Sequence, residues 1–139
     1  MLPTLRRHFR CSFVSLIENT VHEVQARHIT QLAIIASPTT IHTGLYQKPL
    51  QAVHINVLTP SATQLAIIEE AIRSVIAGLG LRKPRMELEG IIRTMRSSGA
   101  EAVLLGCTEL SVLFPEVAVT RIDPLHIICS VLVEAKART

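Results

Sequence analysis

Three short apolar runs govern what this chain can become: "QLAIIAS" (residues 31 to 37), "VHINVLTP" (53 to 60) and "EAVLLG" (101 to 106). The first and third do not alternate apolar with polar residues, the second does so only over residues 53 to 57 before Leu58, and each is read as a strand covered on both faces. Each closes in small or turn-forming residues and hands over to a polar segment or a helical pattern. After the second run, Ser61 is placed to cap a helix in which Leu65, Ile68, Ile72, Val75, Ile76 and Leu79 recur at helical spacing before Gly78 and Gly80 stop it. "RMELEGIIRTMRSSGA" repeats the idea, with Leu88, Ile91, Ile92 and Met95 as one stripe. "VTRI" reads as a short fourth strand, "CSFVSLIEN" as one more strand, and "PLHIICSVLVEAKA" as a terminal helix opened by Pro124. Strand and helix in alternation predict an α/β fold, a parallel sheet flanked by helices.

A chain of 139 residues with 48% hydrophobic residues can bury the core of one ordinary domain. Aromatic residues are only 3% with no Trp, which removes the stacking platforms that single-stranded nucleic acid uses. The net charge of +3 is partly local, in Arg6, Arg7 and Arg10 and again in Arg82, Lys83 and Arg85, and makes no broad basic face. Nucleic acid is therefore not expected as a partner. Cys11, Cys107 and Cys129 are widely spaced and form no CxxC, which excludes a zinc ribbon and a thioredoxin-type motif. The opening "MLPTLRRHFR" lacks the apolar segment and cleavage site of a secretory signal, so reduced thiols in a cytoplasmic protein are expected. No apolar run approaches the ~20 residues of a membrane span.

Parallel sheets gather their chemistry at the carboxyl ends of the strands. Three polar segments fall there, "SPTTIHTG", "TPSATQ" and "GCTE", and are expected to line one rim. Cys107 ends a buried strand and starts a helix, where the partial positive charge of a helix N-terminus favours thiolate. Thr108 adds a hydroxyl beside it, and Glu109 can accept a proton or orient a neighbour. The competing reading is an inert thiol buried as a small hydrophobe. Ser37, Thr39, Thr40 and Thr43 offer four hydroxyls within seven positions, enough for a small carboxylate where simple N-capping explains one. His22, His42 and His126 are the histidines that could take part, though each alone is more often a surface or structural residue. No GxGxxG, GxxxxGK[ST] or HExxH occurs, so dinucleotide, P-loop and zincin chemistry have no support.

"LLGCTEL", preceded by "MRSSGAEAV", resembles the second catalytic-cysteine motif of the aspartate/glutamate racemase family. "IIASPTTIHTGLYQKPL" is similar to that family's strand and Thr-rich loop, and "RIDPLHIICSVLVEA" to its closing segment. The resemblance implies a cofactor-independent and metal-free amino-acid racemase built from two similar domains, with cysteine thiols removing and returning the α-proton. Cys107 corresponds to one base, Ser37, Thr39, Thr40 and Thr108 to substrate recognition, and Glu109 and His126 to supporting groups. Cys107 should then face Thr39 or Thr40 across a small concave site, with His126 nearby. The Cys-Asn-Thr motif of the family's first base does not occur in this sequence. The resemblance is therefore to the second half of a racemase: residues 1–27 a remnant of the first domain, 28–120 the α/β domain carrying Cys107, and 121–139 a strand end and helix packing back towards the first domain. Ile76 stands where aspartate-selective members carry a lysine, so the ligand is an acidic or another amino acid. The alternative is a non-catalytic binding or interaction module. Either way, residues 1–27 and the helix from Pro124 should expose apolar surface, through which a homo-oligomer can form. A third reading makes Cys107 a covalent nucleophile with His42 or His126 as its base.

Overall fold

The structure, a computed structural model, describes residues 2–9, 13–114 and 120–137. In chain order the elements are α1 (Leu2–His8), α2 (Leu16–Ala26), β1 (Gln31–Ile35), α3 (Pro38–Thr43), α4 (Gln47–Gln51), β2 (Asn56–Leu58), α5 (Ala62–Ile76), α6 (Arg82–Ser97), β3 (Ala102–Leu105), α7 (Thr108–Leu113), β4 (Arg121–Ile122) and α8 (Pro124–Ala137). The four strands form one sheet in the order β2-β1-β3-β4, and every pairing is parallel. This is the α/β architecture that the alternation of runs and stripes predicts.

Successive residues of a strand point to opposite faces, and here each face has its own helices. Ala33, Ile35, Val103 and Leu105 pack with Ile68 and Ile72 of α5, Leu88, Ile91, Ile92 and Met95 of α6, and Leu110 and Leu113 of α7. Leu32, Ile34, Ala102, Leu104 and Ile122 pack with Val24 of α2, Leu50 of α4 and, at the edge, Ile127 of α8. Both layers meet at β1, whose Leu32, Ala33, Ile34 and Ile35 are wholly buried.

The helix after β2 begins as read. Ser61 Oγ accepts the Gln64 N–H at 3.2 Å, and Gln64 Oε1 accepts the Ser61 N–H at 2.9 Å, a reciprocal cap. Leu65, Ile68 and Ile72 of its stripe are buried, whereas Ile76 and Leu79 run past the core and are exposed. Three expectations need correction. "CSFVSLIEN" is not a strand: Leu16–Ala26 is a helix, capped by Ser15 Oγ accepting the Glu18 N–H at 3.2 Å. Ile17, Val21 and Val24 share its buried side, a helical spacing concealed by the β-branched residues around it. Cys11 and Ser12 of that stretch lie outside the described residues. The run from 53 to 60 yields a strand only over Asn56–Leu58. Val53 and His54 finish the turn that ends α4, with His54 at a φ of 62° and the Ile55 N–H bonded back to Leu50 at 3.1 Å. The Thr-rich loop is the short helix α3, with Ser37 as its N-cap. β4 occupies Arg121–Ile122 of "VTRI", and Val119 of that stretch is outside the described residues. Among the described residues no helix is long and apolar enough to cross a membrane.

Gly106 sets the closest approach at the sheet's carboxyl edge. Its N–H donates to the Ile35 carbonyl at 2.8 Å. A Cβ on it would lie 2.9 Å from the Ala36 Cβ and 3.2 Å from Tyr46 Cε2, both side chains buried. Gly106→Ala is expected to destabilise the fold by about 1–3 kcal/mol, read as a lower urea midpoint at an unchanged denaturant slope.

Candidate active site

Parallel pairing puts the carboxyl ends of all four strands on one edge. From β1 the chain moves outward to β2, then crosses back to β3 on the other side of β1. The loops after β1 and β3 therefore leave in opposite directions and open a crevice between them, the usual ligand position in sheets of this kind. Ser37 stands on one side of that switch point and Cys107 on the other.

Cys107 has extended backbone (φ −148°, ψ 136°) and is the residue before α7. Its Sγ donates to Glu109 Oε2 at 2.8 Å, and Thr108 Oγ1 donates to the same oxygen at 3.0 Å. The thiol is half-buried in a cavity of about 280 Å³, lined on its polar side by Cys107, Thr108, Ser111 and Tyr46 and on its apolar side by Val14, Leu16, Pro124, Leu125 and Ile128. Ser111 Oγ is buried and has no hydrogen-bond partner among the described residues.

The electrostatics reverse the expectation of a thiolate. Burial pushes the Cys107 thiol up to about 11, helped by its hydrogen bond to Glu109 and by that carboxylate's charge. The N–H groups of Glu109 and Thr108 pull the other way and are outweighed. Glu109, through the hydrogen bond from Cys107 first, is held below the usual carboxylate range. The resting pair is a protonated thiol beside a charged carboxylate. Burial, with Asp123 and Cys107 nearby, also lifts the Tyr46 phenol to about 12 and keeps it a neutral donor.

Of the residues singled out from sequence, Cys107, Thr108 and Glu109 come together. Ser37 and Thr39 line a separate, more open groove of about 560 Å³ with Glu69, Ile72, Arg73 and Ile76. Ser37 Oγ caps α3 by accepting the Thr40 N–H at 3.3 Å and lies 3.0 Å from Thr40 Oγ1, so these two hydroxyls satisfy one another. Thr43 Oγ1 bonds back to the Thr39 carbonyl at 2.9 Å. His126 is exposed and does not line the Cys107 cavity. His42 lines a third depression, with Pro60 and Leu65. Among the described residues no three His, Cys, Asp or Glu side chains are grouped to hold a metal ion.

Sequence reasoning passed over Tyr46, Ser111 and Asp123. Tyr46 lay in plain view in "GLYQ", and Asp123 in "RIDPLH". Asp123 is buried, its Oδ1 accepting the N–H groups of Leu125 and His126 at 3.1 and 3.4 Å and so holding the start of α8 against the cavity. Ser111 carried no signal, since one serine in a short helix looks like any other.

Residues 1–133 match the family described as Asp/Glu/Hydantoin racemase. The chain belongs to that family. A protein from Pyrococcus horikoshii OT3, described as an aspartate racemase homologue, superposes with a TM-score of 0.84 at 24% identity, over 98% of this chain and 61% of that one. The Picrophilus torridus aspartate racemase gives a TM-score of 0.73 at 22% identity, over 84% of this chain and 49% of that one. The racemase-family chain described here thus spans 49% to 61% of the length of these solved structures. A protein of Pectobacterium carotovorum subsp. carotovorum, described only as uncharacterized and lying in the pnlA 3' region, is 24% identical over 122 residues, 88% of this chain and 79% of that protein.

The thiol–carboxylate pair makes a direct prediction. The thiolate is the form that alkylates, so in a Cys11→Ser, Cys129→Ser background the rate of iodoacetamide reaction should climb with pH up to about 11. Glu109→Gln removes the charge that favours the protonated thiol, which lowers the apparent pKa. It should speed alkylation at mildly alkaline pH by roughly tenfold. An unchanged profile would mean that Glu109 does not control the thiol.

Proposed function

We propose that this chain exchanges the α-proton of an acidic or other amino acid through Cys107, as one side of a cofactor-independent racemase site. The observation that carries the reading is the Cys107 thiol at the sheet's switch point, half-buried and hydrogen-bonded to Glu109 at 2.8 Å. An α-proton is weakly acidic, so its base must be close, desolvated and strong. A thiol whose pKa is pushed to about 11 gives a strong base once it is deprotonated.

The resting thiol must first lose its proton, and Glu109 Oε2 is the acceptor at hand. That transfer is uphill in the empty cavity. A substrate ammonium entering beside Sγ favours negative charge on sulfur and brings the thiol down. The thiolate then takes the α-proton, and the C–H electron pair passes into the substrate carboxylate. The Tyr46 and Ser111 hydroxyls are donors on the cavity wall for that carboxylate; Thr108 joins them only by turning its hydroxyl away from Glu109, and Ser37, Thr39 and Thr40 would reach a substrate only from the separate groove beyond α3. The S–H bond returns a proton to the same face of the carbon, so this site by itself exchanges without inverting. Inversion requires a second acid on the opposite face, and this sequence contains no Cys-Asn-Thr motif to supply one.

Incubation with D- and L-aspartate, glutamate and neutral amino acids in deuterated water should replace the α-proton by deuterium with retained chirality, followed by proton NMR and chiral chromatography. Cys107→Ser should slow the exchange by roughly a hundredfold or more. Fast racemisation by this chain alone would overturn the one-thiol reading. Exchange undiminished in Cys107→Ser would remove Cys107 from the chemistry.

A further inference from the structure

The walls of the Cys107 cavity are chemically one-sided. Val14, Leu16, Pro124, Leu125 and Ile128 supply apolar surface around the thiol, and no Lys, Arg or His among the described residues lines it. The acidic groups at this wall oppose a further negative charge: Glu109 accepts from the thiol at 2.8 Å, and Asp123 Oδ1 accepts the Leu125 N–H at 3.1 Å. Arg73 lines the other groove and is paired with Glu69 at 2.7 Å. Arg121 donates to the Phe114 carbonyl and does not line the cavity. A volume of about 280 Å³ lies just below the ~300 Å³ at which pockets for drug-sized ligands begin, which suits one small molecule. Val14, Leu16 and Leu125 are still 37%, 38% and 44% exposed, so the wall keeps apolar surface for a ligand to cover.

We propose that the amino acid taken at Cys107 is a neutral one, with an aliphatic side chain lying on Val14, Leu16 and Leu125, and that aspartate and glutamate are disfavoured. This rests on the reading of the Cys107 cavity as an amino-acid site and narrows it. A side-chain carboxylate entering here would give up water to apolar walls, with Glu109 repelling it and no cation to receive it. An aliphatic side chain loses no hydration of that kind and removes apolar surface from water, both its own and the wall's. Each methylene so buried is worth roughly fourfold in affinity. The α-carboxylate is common to all the candidates and has the Tyr46 and Ser111 hydroxyls as donors. Selectivity therefore resides in the side chain and in the residues that touch it.

In a Cys11→Ser, Cys129→Ser background, protection of Cys107 from iodoacetamide at mildly alkaline pH reads occupancy of the cavity whether or not exchange follows. The half-protecting concentration should fall roughly fourfold for each methylene from alanine through 2-aminobutyrate to norvaline. Glutamate carries a carboxylate where norvaline carries a methyl, and should protect roughly tenfold or more weakly. Exchange of the α-proton for deuterium should rank the two in the same order. Leu125→Arg puts a cation on the wall and should move the ratio of glutamate to norvaline protection towards glutamate by roughly tenfold or more. Leu16→Arg gives the same test should Leu125→Arg fail to fold. Glutamate or aspartate protecting as well as norvaline overturns the proposal, even where exchange shows Cys107 to be a base. Norvaline that protects without exchanging upholds the side-chain assignment and overturns the α-proton chemistry instead. Protection by none of these amino acids, or a ratio unmoved by both arginine variants, overturns the proposal as well.

Discussion

The burial of β1 on both faces is the constraint from which the rest of this structure follows. Its backbone is bonded on one side to β2 and on the other to β3, and its side chains pass alternately into the two helix layers. Neither layer closes without it. Because β1 is central and the chain leaves it in one direction and returns on the other, the crevice at its carboxyl end is a product of topology. Gly106 then brings the end of β3 against Ala36, so that Cys107 starts α7 within the same crevice.

Two tendencies compete at Cys107, and their relative size decides its resting form. Backbone N–H groups at the start of α7 favour the thiolate, while burial and the adjacent Glu109 carboxylate favour the thiol. The second set wins because burial, the largest effect, strips the thiolate of water, and the hydrogen bond to Glu109 at 2.8 Å and that carboxylate's charge add to it, together outweighing the two peptide N–H groups. The residue that an inspection of helix ends marks as activated is therefore held in reserve. Under the proposed function, a ligand that brings positive charge shifts that balance, and proton transfer would follow occupancy of the cavity.

Much of the architecture could be read from the chain because local and global preferences agree there. The β1 and β3 runs, the Ser61 cap and the Leu88–Met95 stripe are each consistent with the sheet and helices they form. α2 is not legible in the sequence because "FVSLI" is rich in strand-forming residues over a span too short for its helical period to show, and the decisive contacts, such as Val24 against the sheet, are distant in sequence. β2 shrank for a related reason: the turn closing α4 uses up Val53, His54 and Ile55.

For the site, the sequence determined the chemistry available: a thiol, a hydroxyl and a carboxylate in three consecutive positions after a buried strand, together with a Thr-rich segment after another. It determined this because such groupings are local, and the alternation of elements sends both segments to one edge. Tertiary structure alone decided which groups share a cavity. Tyr46, Ser111 and the start of α8, held by Asp123, meet Cys107 through the packing of three separate elements, whereas Ser37 and Thr40 are occupied with capping α3. The protonation of the thiol was settled at the same level, since desolvation is a property of what surrounds a group in space and not of its neighbours along the chain.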